Sequence, residues 1–445
     1  MKKENVASNG KKRVLILSYF FPPCNLTASQ RAMSWAKYLG EFGYFPIIVT
    51  RNWDRGISEP SDQHFKTHQT TILHKTPDYE VYYLPYKPSL RDKIFTHANT
   101  SRLKSFRQFL TFWELLLQHF TDRVLPFRNF YSFSSKFLKN NPDIKTVIVT
   151  ANPNVLFKFG YKLSRKFDIK WVADYRDYWT IREETHWYDS IRWFRNLLHR
   201  LEQKSEMKWT STASFITSVS DLYTQKLSKY LGKTGYTVFN GFIPEDFSPS
   251  EKPQPYDYFT ITFNGTMIER QDSGIFLKAF RRLVEDHIGR HHIHLNFIGT
   301  GFDKAQEARI RKILSGLEEN YTITKRLPRK KAIEMQLKSH VLLLMAYGKV
   351  KGAPGTKTFD YLGAGKHIIL CPSDQDILEE IVSKSGLGFI CNNEQEAYET
   401  LSSLFNEYIS KGYMQATGNK TEIEKYSRRN QTKAMAEALN TLYEG

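Results

Sequence analysis

Residues 352–365 read Gly352-Ala-Pro-Gly-Thr-Lys-Thr-Phe-Asp-Tyr-Leu-Gly-Ala-Gly365, with the apolar run Val341-Leu-Leu-Leu-Met-Ala346 before them and His367-Ile-Ile-Leu-Cys371 behind. The first run reads as a buried strand, and the Gly/Pro loop after it opens a short helix. The free N–H groups and positive dipole end of such a helix can hold a diphosphate. Lys357 adds a cation there. Asp360 follows one turn later, where a carboxylate can accept hydrogen bonds from both hydroxyls of a ribose, and Gly365 ends the helix as a C-cap. In outline this is a site for a nucleotide sugar.

Rival uses of such loops fail on single residues. A phosphate-binding P-loop requires glycine immediately before its Lys-Ser/Thr, and Thr356 stands there. Gly299-Thr-Gly301 follows the strand-like run Ile293–Ile298, but Lys304 occupies the third glycine position of a dinucleotide fingerprint. A tight strand-to-helix turn is sufficient reason for that pair.

Working outward, the flanking pattern repeats. In the first half Val14–Ser18, Ile47–Thr50, Thr146–Thr150, Trp171–Asp174, Phe215–Ser218 and Thr237–Asn240 read as short buried strands between helical stretches, one of them carrying Trp35, Ala36, Leu39 and Phe42 up to Gly43. A polar stretch with Pro244, Pro249, Pro253 and Pro255 intervenes. The alternation then resumes with Phe259–Phe263, Ile293–Ile298, Tyr321–Thr324, Val341–Met345, His367–Leu370 and Leu387–Cys391. Strand–helix alternation means parallel, doubly wound sheets, and 445 residues exceed one core. The reading is therefore α/β with two Rossmann-like domains facing a cleft. The division is 1–248 and 249–424, and Met435, Ala438, Leu439 and Leu442 form an apolar helical stripe in 425–445.

Composition limits the partners. No run of about 18 apolar residues occurs, residues 1–10 are polar, and Cys24, Cys371 and Cys391 lack metal spacing, which together point to the cytoplasm. Cys371 and Cys391 sit in apolar runs and are expected in the core. A formal charge of +18 calls for nucleic acid, an anionic membrane surface or phosphorylated substrates.

The Gly352–Gly365 stretch resembles the donor-site signature of retaining family 4 glycosyltransferases of the GT-B fold. That signature carries two acidic residues eight apart; here Asp360 replaces the usual Glu, and Gly352 takes the place of the first acid. Other landmarks follow in the family's order: Val14–Pro23 with Ser29-Gln-Arg31, Trp171-Val-Ala-Asp-Tyr-Arg-Asp-Tyr-Trp179, Phe239–Phe247, and Asn264-Gly-Thr266 through Arg270. The family's first loop is often glycine-rich, whereas here it reads Cys24-Asn-Leu-Thr-Ala28.

The resemblance implies that the helix in 425–445 packs back on the first domain. It also implies transfer from a nucleoside diphosphate sugar with retention of anomeric configuration, the leaving phosphate acting as base, with neither cofactor nor metal. Arg270 and Lys357 would then stabilise the leaving diphosphate. Asp177 would bond the transferred sugar or the acceptor beside Arg176, which stands where many relatives have histidine; an Arg–Asp pair fixing the loop is the alternative. Donor contacts fall to Asp360, Gly265, Thr266, Gly299, Gly301, Gly355, Thr356 and Thr358. The acceptor side falls to Asn25, Arg31 and Asp174.

His64 with His68, and His291, His292 and His294, lack the companions of a metal site. Asp374-Gln-Asp376 reads as a solvated loop rather than a metal-binding Asp-x-Asp. Between Arg91 and Lys139 stand nine Lys/Arg against three Asp/Glu, with eleven aromatics. There Leu103, Phe106, Leu110, Trp113, Leu117 and Phe120 form an amphipathic helical stripe, which either faces the core or lies on an anionic inner membrane leaflet beside a lipid-linked acceptor. The expectation is a peripheral enzyme of lipopolysaccharide or capsule assembly that binds no nucleic acid. A basic nucleic-acid binder and a degenerate sugar-nucleotide-binding subunit are the alternatives.

Overall fold

The protein is described from a computed structural model, which covers residues 10–54, 56–57, 64–67, 69–97, 103–122, 126–181, 192–251, 253–287, 293–348 and 350–444. The chain divides into two compact units, Met1–Val238 with Thr432–Gly445, and Phe239–Gln431.

The first unit is built on strands β1 (Lys12–Ser18), β2 (Tyr44–Arg51), β3 (Ile72–Lys75), β4 (Glu80–Leu84), β5 (Thr146–Thr150), β6 (Lys170–Asp174), β7 (Phe215–Ser218) and β8 (Gly235–Thr237). They form one sheet in the order β3-β4-β2-β1-β5-β6-β7-β8, parallel throughout except for β3 against β4. Its helices are α1 (Ala28–Tyr38), α2 (Leu90–His97), α3 (Lys104–Phe120), α4 (Arg128–Asn140), α5 (Val155–Lys166), α6 (Arg192–Thr210) and α7 (Asp221–Leu231).

Because successive side chains of a strand point to opposite faces, β1 sends Leu15 and Leu17 to one core, with Leu156 and Phe159 of α5, and Val14 and Ile16 to the other. The second core is closed from afar. Trp35 of α1 meets Met435, Ala438 and Leu439 of the last helix, α15 (Arg428–Asn440), with Leu442 just beyond it. The apolar stripe at the end of the sequence thus returns to the first sheet.

The second unit holds β9 (Phe259–Asn264), β10 (Ile293–Ile298), β11 (Tyr321–Ile323), β12 (Val341–Leu344), β13 (His367–Leu370) and β14 (Gly388–Ile390), wholly parallel and ordered β11-β10-β9-β12-β13-β14. Counted within the unit this is 3-2-1-4-5-6, the doubly wound order whose direction reverses between its first and fourth strands. Helices α8 (Ser273–Asp286), α9 (Lys304–Ile313), α10 (Arg329–Lys338), α11 (Thr356–Ala364), α12 (Ile377–Lys384), α13 (Glu394–Lys411) and α14 (Lys420–Lys425) complete it. Phe263 and Phe297 pack with Leu277, Phe280 and Leu401, while Leu342, Leu344 and Ile368 pack with Phe359, Leu362 and Ile381. All three cysteines are buried thiols.

Two strands escape the sequence pattern. Every residue of β3 is exposed and it pairs antiparallel at an edge, so it lacks the buried run that betrays the others; β4 mixes Glu80 and two tyrosines with its apolar residues. The strand expected at Thr237–Asn240 lies earlier, at Gly235–Thr237.

Gly160 of α5 presses on Trp171 of β6, where an added Cβ would stand 2.6 Å from the indole ring. Gly160→Ala should therefore lower stability by about 1–3 kcal/mol through overpacking, read as a shifted midpoint in urea with unchanged slope.

Candidate active site

The loops after β9 and β12 flank the switch point of the second sheet, where ligands of open α/β sheets bind. The Asn264 N–H donates to the Tyr361 hydroxyl at 2.8 Å, which ties the end of β9 to α11. Gly265 then turns at φ +110°, its N–H donating to the Ile298 carbonyl at 2.8 Å, and Gly299 turns at φ +81°. Both conformations suit glycine and strain other residues. The two loops touch: a Cβ on Gly299 would stand 3.9 Å from the Cα atoms of Gly265 and of Arg326. Thr300 Oγ1 donates to the Gly265 carbonyl at 3.2 Å, and the Gly301 N–H donates to the Thr324 carbonyl at 3.0 Å.

Against this pair of turns lies Lys357. Its Nζ and Cε would be 3.5 Å from a Cβ at Gly265, and Nζ sits 4.0 Å from the centroid of the Phe263 ring. The ammonium is out of contact with water and has no hydrogen-bond partner. Desolvation pushes its pKa down to about 7. Thr358 Oγ1, in the same first turn of α11, is likewise buried and unpartnered. Gly355 caps that turn with the Tyr347 hydroxyl 2.6 Å from where its Cβ would be, so a larger residue has no room. Gly265, Thr266, Gly299, Gly301, Gly355, Thr356, Lys357 and Thr358 thus sit on the loops and first turn at one end of this sheet. Arg270 is exposed on the β9–α8 loop, where its carbonyl lies 3.2 Å from the Cβ position of Gly348 in the loop after β12.

Asp360 is 6% exposed, and Arg329 at the start of α10 grips it through two N–H···O bonds of 3.1 and 3.0 Å. The same guanidinium holds Asp246 at 2.8 Å. The Asp360 carboxylate is thus held in one orientation by an arginine. Arg326 and Arg329 went unread in the sequence. Their signal was the basic cluster Lys325-Arg326-Leu-Pro-Arg329 after β11.

The first unit corrects several expectations. Arg31 and Asp174, placed on the acceptor side, are 2% and 0% exposed and spend their charges on each other. Arg31 Nε and Nη2 reach the carboxylate at 2.6–3.1 Å, Nη1 donates to the Val238 carbonyl at 2.8 Å, and Thr217 Oγ1 donates to Asp174 at 2.7 Å. Asn25 ties the loop after β1 to the segment after β2, its side-chain oxygen accepting from the Ile57 N–H at 2.8 Å and its amide N–H donating to the Ile57 carbonyl at 3.1 Å.

Within the same segment, Tyr175 and Thr180 donate to Glu206, whose carboxyl burial pushes up to about 7. Arg176 is partly buried, and desolvation lowers its pKa against the opposing pull of Asp177 and Asp174. Asp177 is exposed and is the carboxylate of this segment that water reaches.

Asp374 is a buried cap rather than a solvated loop: it accepts from the N–H groups of Asp376, Leu378 and Glu379 at 2.9–3.1 Å, and Asp376 accepts from the Gly352 N–H. His294 is a sheet residue bonded to Thr322 at 2.8 Å, and His64 lies 2.9 Å from Asp92. His68, His291 and His292 lie outside the described residues. Among the described residues no group of three His, Cys, Asp or Glu could hold a metal.

No protein-family model and no curated protein matches the sequence. Solved structures match along nearly its whole length. Sucrose-phosphate synthase from Thermosynechococcus elongatus superposes with TM-score 0.64 at 12% identity, covering 98% of this chain and 100% of its own. The UDP-forming α,α-trehalose-phosphate synthase from Burkholderia xenovorans, in complex with glucose-6-phosphate, gives 0.58 at 11% over 96% and 100%. Anabaena HepE, in complex with UDP and glucose, gives 0.58 at 10% over 97% and 100%. The fold is GT-B. At such identities the likeness extends to the fold alone.

Breaking the buried pair of the GT-B fold's first unit should be expensive. Asp174→Asn leaves the Arg31 guanidinium in the core without its counter-charge and should cost about 3–5 kcal/mol in denaturant unfolding.

Proposed function

We propose that the protein is a metal-independent, retaining glycosyltransferase that moves a sugar from a nucleoside diphosphate sugar to a glycan acceptor, lipid-linked and belonging to lipopolysaccharide or capsule assembly. The observation that carries this reading is the Lys357 ammonium, desolvated and unpartnered beside the Gly265 turn at the start of α11. A buried cation without a counter-charge is costly, and a diphosphate supplies two negative groups to a helix terminus already favourable to them. Neighbouring structures with bound UDP, or named for forming UDP, support the choice of a nucleotide donor.

In the reaction, the bond from the anomeric carbon to the leaving phosphate oxygen breaks and a bond from the acceptor oxygen forms on the same face. The acceptor proton passes to the departing phosphate. Lys357 and Arg270 hold the growing negative charge, Asp360, aligned by Arg329, accepts from the ribose, and Asp177 bonds the sugar or the acceptor with Arg176 at its side. Gly299, Gly301 and Thr266 let the backbone approach the donor.

The acceptor's place is inferred from α3. Phe106, Phe109, Trp113, Leu117 and Phe120 are 44–71% exposed and share one face of that helix. The stripe points outward, which favours the membrane alternative over the core-facing one. No helix among the described residues is long and apolar enough to cross a membrane. An aromatic face on a basic protein suits peripheral attachment to an anionic cytoplasmic leaflet.

Two experiments test these claims. Because the free site holds the Lys357 pKa near 7 and a bound diphosphate favours the ammonium, binding should take up protons just above neutrality and affinity should fall as pH rises through that range. Calorimetry of UDP in buffers of differing ionisation heat should register most of a proton, absent in Lys357→Arg. Lys357→Ala should weaken binding by about 1.5–3 kcal/mol, and equal affinity in that variant would remove the donor assignment.

For the membrane, vesicles with anionic lipid should sediment the protein and release it as the Debye length shrinks from about 10 Å at 0.1 M to about 3 Å at 1 M salt. Phe109→Gln with Trp113→Gln should abolish sedimentation and leave UDP binding intact. Arg107→Gln tests the basic flank; Arg102, Arg123 and the side chain of Lys104 lie outside the described residues. Equal binding to neutral vesicles, or none to either kind, rejects the attachment.

A further inference from the structure

A cavity of about 240 Å³ opens in the first unit, at the carboxyl ends of β5 and β6. Asn154, at the entry to α5, lies on one side, and Trp179 comes from the segment after β6. Glu114 and Gln118 of α3 and Glu202 and Trp209 of α6 line the rest. The volume is below the roughly 300–1,000 Å³ of sites for drug-sized ligands. It suits a single ring.

The lining narrows the chemistry. Trp179 and Trp209 stack with centroids 5.4 Å apart, and His119 also stacks on Trp209 at 5.7 Å, which makes an aromatic wall. The side-chain amides of Gln118 and Asn154 have no hydrogen-bond partner among the described residues, and neither do the indole N–H groups of the two tryptophans. Glu114, paired with Arg91, and Glu202, which has a partner of its own, each keep carboxylate lone pairs that can accept further bonds, and Arg91 is also engaged with Asp92. Two carboxylates disfavour an anion, and the free amides disfavour a hydrocarbon tail, which would leave them unsatisfied. A neutral polyol satisfies both, since each hydroxyl donates and accepts, and its C–H face can lie on an aromatic wall.

Position adds a second argument. Glu114 and Gln118 stand about 100° round α3 from Trp113 and Leu117, one residue on in a helix of 3.6 residues per turn. One helix thus carries both the exposed aromatic stripe and a wall of the cavity. Its end is pinned from below, since Lys158 of α5 donates to the carbonyls of Gln118 and Thr121 at 2.9 and 3.1 Å.

We propose that this cavity binds one neutral sugar ring of the acceptor glycan, with Gln118, Asn154 and Glu202 bonding its hydroxyls against the Trp179–Trp209 wall. The assignment to the acceptor rests on the transferase reading; the cavity itself is independent of the nucleotide site.

The test uses the full-length protein and a panel of methyl pyranosides: gluco, galacto, manno and N-acetylglucosamine, each in both anomers. Binding is followed by tryptophan emission and by saturation-transfer NMR. At least one member should bind saturably, and Gln118→Ala with Asn154→Ala should weaken it at least about tenfold, the worth of one to two lost hydrogen bonds. Neither amide supports the fold, so circular dichroism and melting should match the parent; Glu202→Gln provides a second variant that retains the side chain's shape. No saturable binding across the panel, or undiminished binding in both variants, overturns the proposal. UDP binding on the same samples separates the two readings: nucleotide without sugar removes the cavity's role alone, and sugar without nucleotide removes the transferase.

Discussion

A parallel strand must be buried on both faces and joined to the next by a crossover, and that constraint organises both units of this chain. It explains the near-continuous apolar runs of β1, β5, β10 and β12. It also puts every strand-to-helix loop at the same end of its sheet, and the reversal of winding between β9 and β12 parts two of those loops. Glycines at positive φ, a helix N-terminus and an ammonium then occupy one place because the topology leaves that place open.

Buried charge is handled in opposite ways in the two units. Arg31 and Asp174 neutralise each other completely, with the Val238 carbonyl and Thr217 filling the remaining positions. Lys357 is also withdrawn from water, over the Phe263 ring but with no hydrogen-bond partner, and its pKa falls toward neutrality as a result. The first arrangement is a structural rivet. The second leaves a desolvated ammonium without a counter-charge, the kind of perturbed group that marks a candidate functional site. Asp360 stands between these cases: an arginine holds it, and its carboxylate is fixed before any ligand comes.

Helix α3 illustrates how amphipathicity alone misleads. Its stripe has the spacing of a core-facing helix, and such stripes are ordinarily buried. Here Trp113 and Phe120 are 44% and 71% exposed, while the polar side, with Glu114, Gln118 and His119, turns toward α5 and α6. The cost of exposing five large apolar side chains is the physical reason to look for a surface that covers them.

The sequence by itself determined the α/β alternation, the two sheets and the helix start at Gly355 with its stop at Gly365, because all are written in local periodicity and in backbone-restricted residues; periodicity also marked the Met435–Leu439 stripe, without saying which sheet it covers. It also marked Lys357 as the cation at the helix start, but the contacts with Gly265 and Phe263 that desolvate it are tertiary. Tertiary structure alone decided that Arg31 is spent on a residue 143 positions away, that Arg329 reaches 31 positions to Asp360, and that the Asp-x-Asp at 374–376 caps a helix. It also brought Trp179, Trp209 and α3 around one cavity. Side-chain pairing across distant elements leaves no periodic trace, since it depends on which residues the crossovers carry to the same place.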